Sequence, residues 1–382
     1  MKNLHKLRIS ANFLIIALIL VPMWTFGQEA KTGETRPEFQ MTVTKQIPAL
    51  SVTSQASTST CWCFATTSML ESELIRLGKG EIGLSEMFTV RNVYSAKAEQ
   101  YMRFHGTCSF SEGGEQHDVL NSIAKNGIVP RDVYPGLNYG EKTHKHGEIV
   151  TTLSGIVDNV VKNRNGKLSP VWQKGISGVL DAYFGEIPES FSWNGKMYTP
   201  REFAKELGIN PDDYIEFSSF THHPFYEKFV IEIPDNWAQE ALYNVPIDEL
   251  MEIVDYALNK GISISWGADI ESLNFRDGFG RIMEEGADVN DPRAPEKAVS
   301  QADRQHLLDN YQFSDDHAMH LTGMATDQFG NKYYLEKNSW GEGGKFKGYS
   351  YLSVPFLRLR TMSVMVHKDG IPQAIADKIG LK

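Results

Sequence analysis

Cysteine is scarce in this chain of 382 residues, which holds only Cys61, Cys63 and Cys108. An odd number leaves at least one thiol without an intramolecular partner and excludes a dense disulfide framework. Cys61-Trp62-Cys63 is a C-x-C triplet with no second close pair, so it lacks the ligand spacing of a structural zinc. Nor is it the C-x-x-C of a redox dithiol. Positive charge is also short. Lys and Arg number 38 against 48 Asp and Glu, a formal charge of −10, which argues against nucleic acid as a partner. The apolar run Phe13 to Val21 is too short for a comfortable membrane span. No internal repeat and no disordered or collagen-like tract interrupts an ordinary globular composition.

What is present begins with that run. Lys2, Lys6 and Arg8 precede it, and Pro22 and Thr25-Phe26-Gly27-Gln28 follow it. A basic segment, a short apolar segment and small residues at a cleavage point predict a signal peptide over 1–27. The expectation is an exported protein, periplasmic or secreted if bacterial, with no stable membrane association after cleavage. Removing Lys2, Lys6 and Arg8 takes the formal charge from −10 to −13. An exported chain that keeps a free thiol invites the question of what the thiol does.

Apolar periodicity and capping residues predict helices over 61–77, 85–104, 115–126 and 247–259. In the first, Cys63, Thr67, Leu70, Leu74 and Leu77 recur on one stripe, with Gly78 beyond as a cap. Strands are expected over 261–266, 317–324, 332–336 and 362–367. Helices first and strands last indicate an α+β fold with segregated halves. No clean linker divides 28–382, which reads as a single unit with two lobes.

Cys61 falls in the first turn of its helix, where unpaired N–H groups and the helix dipole favour an anion and shift a thiol toward thiolate. The plain alternative is that Cys61 and Cys63 are small core residues. Context favours chemistry. Gln55, six residues before Cys61, carries an amide able to donate to an oxyanion beside the sulfur. Far downstream, His317 opens a predicted strand and Asn338 follows 21 residues later. That spacing can set a base and its orienting amide on adjacent strands.

Gln55, Cys61-Trp62, His317-Ala318 and Asn338-Ser339-Trp340-Gly341 together resemble the signature of the papain-like cysteine peptidases, in that family's order. The resemblance implies a two-lobed fold, with a helical lobe carrying the nucleophile and an antiparallel β lobe carrying His317 and Asn338. It implies Phe110-Ser-Glu-Gly113-Gly114 as the glycine loop that lines the pocket for the substrate's second residue. Trp62 and Trp340 are expected to contact substrate, with Trp62 shielding the site from water. Peptides are the implied partners, and neither cofactor nor metal is called for.

His317 lies 256 residues after Cys61 and Asn338 lies 277 after it, leaving about a hundred residues more than the simplest papain-like spacing. Within them, 180–188, 199–203, 223–226 and 243–248 are similar to the bleomycin hydrolase and aminopeptidase C branch. A mostly helical, family-specific insertion is therefore expected at about 140–235. That branch implies an aminopeptidase and a homo-oligomer, hexameric in the branch. Its members use a longer C-terminal arm, whose carboxylate receives the substrate's α-amino group. The tail expected here, 368–382, is short, so a papain-like endopeptidase and a non-catalytic peptide-binding member are the alternatives.

Other residues read more plainly. Cys63 is expected to pack the core, with a Cys63–Cys108 disulfide as the alternative, and His320 is expected to be structural. His144 and His146 read as parts of a solvated loop. Asp316 stands as a turn residue, or as one that tunes the imidazole.

Overall fold

A computed structural model describes residues 37–163, 166–270 and 275–381. The expected signal peptide, 1–27, lies outside the described residues. Glu38–Lys382 forms one compact unit. Its helices are α1 (Cys61–Arg76), α2 (Glu86–Arg103), α3 (Gln116–Asn126), α4 (Gly147–Val161), α5 (Trp172–Phe184), α6 (Pro200–Leu207), α7 (Ile247–Lys260), α8 (Gln301–Asp309), α9 (Val354–Arg360) and α10 (Gln373–Lys378). Its strands are β1 (Thr42–Gln46), β2 (Phe191–Trp193), β3 (Lys196–Tyr198), β4 (Tyr214–Ser218), β5 (Lys228–Val230), β6 (Ala241–Asn244), β7 (Ile264–Ala268), β8 (Phe275–Arg276), β9 (Phe279–Gly280), β10 (His317–Thr326), β11 (Lys332–Lys337), β12 (Tyr349–Ser353) and β13 (Thr361–His367). Among the described residues no helix is long and apolar enough to cross a membrane.

Two apolar clusters correspond to the two lobes. One gathers Trp62, Cys63, Leu70, Phe88, Val119 and Leu153 from the early helices. The other joins Leu250, Val254 and Leu258 of α7 to Ile264, Leu321 and Val364 of the sheet. The sheet runs β5-β6-β4-β13-β7-β10-β11-β12-β9-β8, with β1 pairing β10 beside this path. Its central neighbours, β13–β7, β7–β10, β10–β11 and β11–β12, are antiparallel, as the α+β reading requires.

The segment 140–235 contains α4, α5 and α6, and also β2 to β5. That β content departs from the expectation of a mostly helical insertion. β4 pairs β13, so the end of the segment extends the main sheet rather than packing on its outside. These strands are three to five residues long, too short for a clear period-two signal.

Helix α1 lies between α2 and α3 on one side and β7 and β10 on the other. Trp62 through Leu74 are therefore all buried, whereas a single stripe was expected. A helix covered on every side has no polar face to betray its orientation. Leu77, assigned to the stripe, is 44% exposed just past the helix end.

β1 reaches β10 through a close backbone approach. A Cβ built on Gly323 would lie 2.1 Å from the carbonyl oxygen of Lys45, and Gln46 is in register with Gly323. Gly323→Ala is expected to separate β1 from β10 and destabilise the fold by about 1–3 kcal/mol. Thermal and urea unfolding of the variant check this.

Candidate active site

Each lobe contributes one half of the site. Cys61 is the first residue of α1, and the backbone N–H groups of Cys63 and Phe64 donate to the Thr60 carbonyl at 3.0 and 3.2 Å. Its own N–H has no carbonyl within the helix to reach, as is general for the first turn. The Cys61 sulfur takes hydrogen bonds from the N–H of Trp62 and from that of Ala318, the residue after His317. The helix end and the start of β10 therefore meet at the sulfur.

β10 and β11 set the rest. His320 pairs with Lys337, which brings Asn338 alongside the beginning of β10. His317 Nε2 donates to Asn338 Oδ1 at 2.8 Å. The same oxygen accepts the Ser339 N–H at 2.8 Å, so the amide is oriented with its oxygen toward the ring. A proton held on Nε2 leaves Nδ1 as the basic nitrogen. The Trp340 ring stacks on the imidazole, 4.8 Å between centroids at 20°.

Gln55 reaches this group by an extended pairing. Its N–H donates to the Ser339 carbonyl at 2.8 Å, and the Gly341 N–H donates to the Thr53 carbonyl at 3.0 Å. Gln55 Oε1 accepts from the Ser339 hydroxyl at 2.6 Å and Nε2 donates to the Thr58 carbonyl at 2.6 Å. An amide nitrogen carries two hydrogens, and Thr58 takes one. Gln55, His317 and Asn338 are each 6% exposed, while Cys61 is half-buried.

The two tryptophans differ in burial. Trp62 is 1% exposed, and its Nε1 donates to the Glu112 carbonyl at 3.1 Å. A Cβ on Gly114 would lie 3.0 Å from its ring. Trp62 thus supports the glycine loop from below. Trp340, stacked on His317, is 56% exposed.

Gly113 and Gly114 are buried, and the side chain of Asp235 lies directly on Gly113. Beneath the loop, Lys97 Nζ donates to the Ser111 carbonyl at 3.0 Å and also to that of Gly113. The sequence offered no signal for Lys97, since a lysine in an amphipathic helix ordinarily faces water. His146 is a correction as well. It is fully buried, accepts or donates at 3.1 Å to the Tyr94 hydroxyl, and packs on Phe184, because α4 folds back over α2 and α5. His320 is structural as expected, its Nδ1 2.9 Å from the Ser68 hydroxyl. Cys63 packs the core with its thiol 3.4 Å from the Glu86 carbonyl, and all three cysteines are free.

Electrostatics add a finding that the helix-end reading did not contain. Burial pushes the Cys61 thiol up to about 12, with the Asp315 and Asp235 carboxylates adding to the rise against the two N–H donors. Burial also lowers His317, against the Asn338 hydrogen bond and the Asp316 charge. Burial thus opposes a lone charge on either group, so a thiolate on Cys61 is favoured when its charge is paired with the His317 imidazolium.

A thiol on a buried helix end, an imidazole with its tautomer fixed by an amide, and a two-lobed α+β frame together define a papain-like cysteine peptidase. The chain belongs to the Peptidase C1-like family, whose model matches residues 25–381. It is 24% identical to Aminopeptidase E of Lactobacillus helveticus over 367 residues, 83% of this chain and 81% of the relative. Bleomycin hydrolase of Rattus norvegicus is 24% identical over 381 residues, covering 85% and 82%. Among solved structures, PepW from Lactobacillus rhamnosis superposes with a TM-score of 0.71 at 20% identity, covering 89% of this chain and 84% of that one. That likeness is one of fold.

Asp315 raises the Cys61 thiol, so Asp315→Asn is expected to move the pH profile of Cys61 alkylation by iodoacetamide toward lower pH. The sign follows from removing a negative charge that opposes the thiolate. A profile unchanged or displaced upward would contradict this electrostatic account.

Proposed function

We propose that the chain is a cysteine aminopeptidase in which Cys61 is the nucleophile, His317 the acid–base, Asn338 its orienting partner and Gln55 an oxyanion donor. The hydrogen bond from His317 Nε2 to Asn338 Oδ1, with the Cys61 sulfur held at the Ala318 N–H, carries this reading. Aminopeptidase activity itself is inferred from the names of the relatives, which include aminopeptidases C, E and G.

In the proposed reaction, Cys61 attacks the scissile carbonyl carbon as the thiolate of a thiolate–imidazolium pair, its thiol proton having passed from Sγ to His317 Nδ1. The negative charge passes to the carbonyl oxygen, met by the Cys61 N–H and the second Gln55 Nε2 hydrogen. The imidazolium then protonates the leaving amine as the C–N bond breaks, leaving an acyl-enzyme. Water deprotonated by His317 attacks the thioester and releases the acid. Trp340 keeps solvent off the imidazole and its amide partner.

Cys61→Ala is expected to abolish hydrolysis of aminoacyl aminomethylcoumarins. Asn338→Ala is expected to lower kcat by roughly 10–100-fold by freeing the ring, an effect on the scale of losing one hydrogen bond to a charged group. Full activity in the Cys61 variant would refute the assignment. Export is part of the proposal and rests on residues 1–27 alone; an N-terminus of the secreted product near Gln28 is the expected readout.

A further inference from the structure

Beside Cys61, on the side of the glycine loop, the protein concentrates carboxyl groups. Asp235 and Asp315 both act on the Cys61 thiol. Glu115, only 3% exposed, faces Asp315 within hydrogen-bond reach, and Glu216 acts on both. Asp118 lies next to Glu115, its Oδ2 accepting the Glu115 N–H at 2.9 Å. The cations paired with this group are Lys97 and the His117 imidazole, whose Nδ1 is 2.8 Å from Glu216 Oε2. Lys97 also holds the loop carbonyls, and His117 pairs with Glu216 alone among these carboxyl groups by a hydrogen bond.

Two observations go beyond a collection of acids. Glu115 Oε1 is buried without a hydrogen-bond partner. With the Gln116 amide turned so that its nitrogen faces the carboxylates, that nitrogen holds Glu115 Oε2 at 3.1 Å and Glu216 Oε1 at 2.9 Å. Glu115 and Asp315 are two carboxyl groups within hydrogen-bond reach of each other. Such a pair needs either a shared proton or an N–H-bearing cation. Asp235, for its part, is set in place deliberately by its loop. Asn236 Nδ2 ties the loop to the Ile231 and Glu240 carbonyls at 3.2 and 3.0 Å, and Trp237 Nε1 donates to Asp118 Oδ2 at 2.8 Å. The Asp235 carboxylate then lies so close to Gly113 that a Cβ there would meet Oδ2 at 1.8 Å. Asp235, Asp315 and Cys61 are all half-buried, so each keeps some accessible surface.

We infer that Asp235, together with the Glu115–Asp315 carboxyl pair, is the seat for a substrate ammonium, the protonated α-amino group of the peptide's first residue. This rests on the peptidase reading and deepens it by naming internal side chains, on the loop before β6 and the approach to β10, as the specificity determinant. α10 packs elsewhere. Ile375 and Ile379 join the cluster beneath α7, and Lys378 pairs with Glu249 at 2.7 Å. The seat has a chemical corollary. The ammonium offsets the same carboxylates that add to the rise of the Cys61 thiol, so a correctly placed amine favours the thiolate.

Three substrates separate the two sources of such a cation: alanyl aminomethylcoumarin, its N-acetyl form, and N-acetyl-lysyl-alanyl aminomethylcoumarin. The wild type is expected to prefer the free amine, and Asp235→Asn to raise KM for it about tenfold or more with a smaller change in kcat. Glu115→Gln, a second near-isosteric change, is expected to act in the same direction. Unchanged preference for the free amine in both variants, with melting curves like the wild type, overturns the inference while leaving the nucleophile assignment intact. A wild-type preference for the acetylated lysyl substrate overturns it too, assigning the seat to a basic side chain. Failure of Cys61 to be alkylated by iodoacetamide, with all three substrates inert, overturns the peptidase reading and this inference together.

Discussion

The site depends on one packing relation, the burial of α1 against β10. Cys61 rides on the helix and His317 on the strand, so any sliding between them separates sulfur from imidazole. Polar ties inside the contact set its register. Ser68 Oγ lies 2.9 Å from His320 Nδ1 and accepts from Lys337 Nζ at 2.8 Å, and Thr66 Oγ1 meets Ser265 Oγ at 3.0 Å. A buried lysine is tolerated only with partners, and a shift of one residue would strand it. Lys337 precedes Asn338 directly, so the tie that fixes the helix also fixes the orienting amide.

Around that contact the protein manages several buried charges. Glu71 of α1 accepts the Leu84 N–H at 2.9 Å and pairs with Arg131 at 2.7 Å, and Arg131 also reaches Glu86 at 2.8 Å. This network pins α1 to the start of α2. On the other side, burial raises the Cys61 thiol and the Asp315 and Asp235 carboxylates add to the rise. In the inferred role, a substrate cation offsets the repulsion among those carboxylates. Stability and substrate preference thus draw on the same residues.

Legibility in the sequence followed the range of the interactions. α1, α2, α3 and α7 were readable within a residue or two, because caps and apolar spacing are local. β10, β11 and β13 were readable as apolar runs. Cys61, His317, Asn338 and Gln55 were readable because their residue types and order are those of a known chemistry. The roles of Trp62 and Trp340 were not, since a tryptophan beside a nucleophile and one beside an orienting amide look alike until burial separates them. His146 seemed solvated between polar neighbours, yet α4 carries it under Tyr94. Lys97 and Asp235 carried no signal at all, one being an ordinary helix lysine and the other an ordinary loop aspartate.

By itself the sequence determined the fold class and the family and named the candidate reacting groups, because each of these is written in residue type, order and local periodicity. Only the tertiary structure decided the electrostatic setting of the thiol, the different burial of the two tryptophans, and the Asp235 carboxylate on the glycine loop. The physical reason is that a field at Cys61 is summed over space. Asp235 and Asp315 lie 174 and 254 positions away along the chain, and folding alone sets them beside the same sulfur.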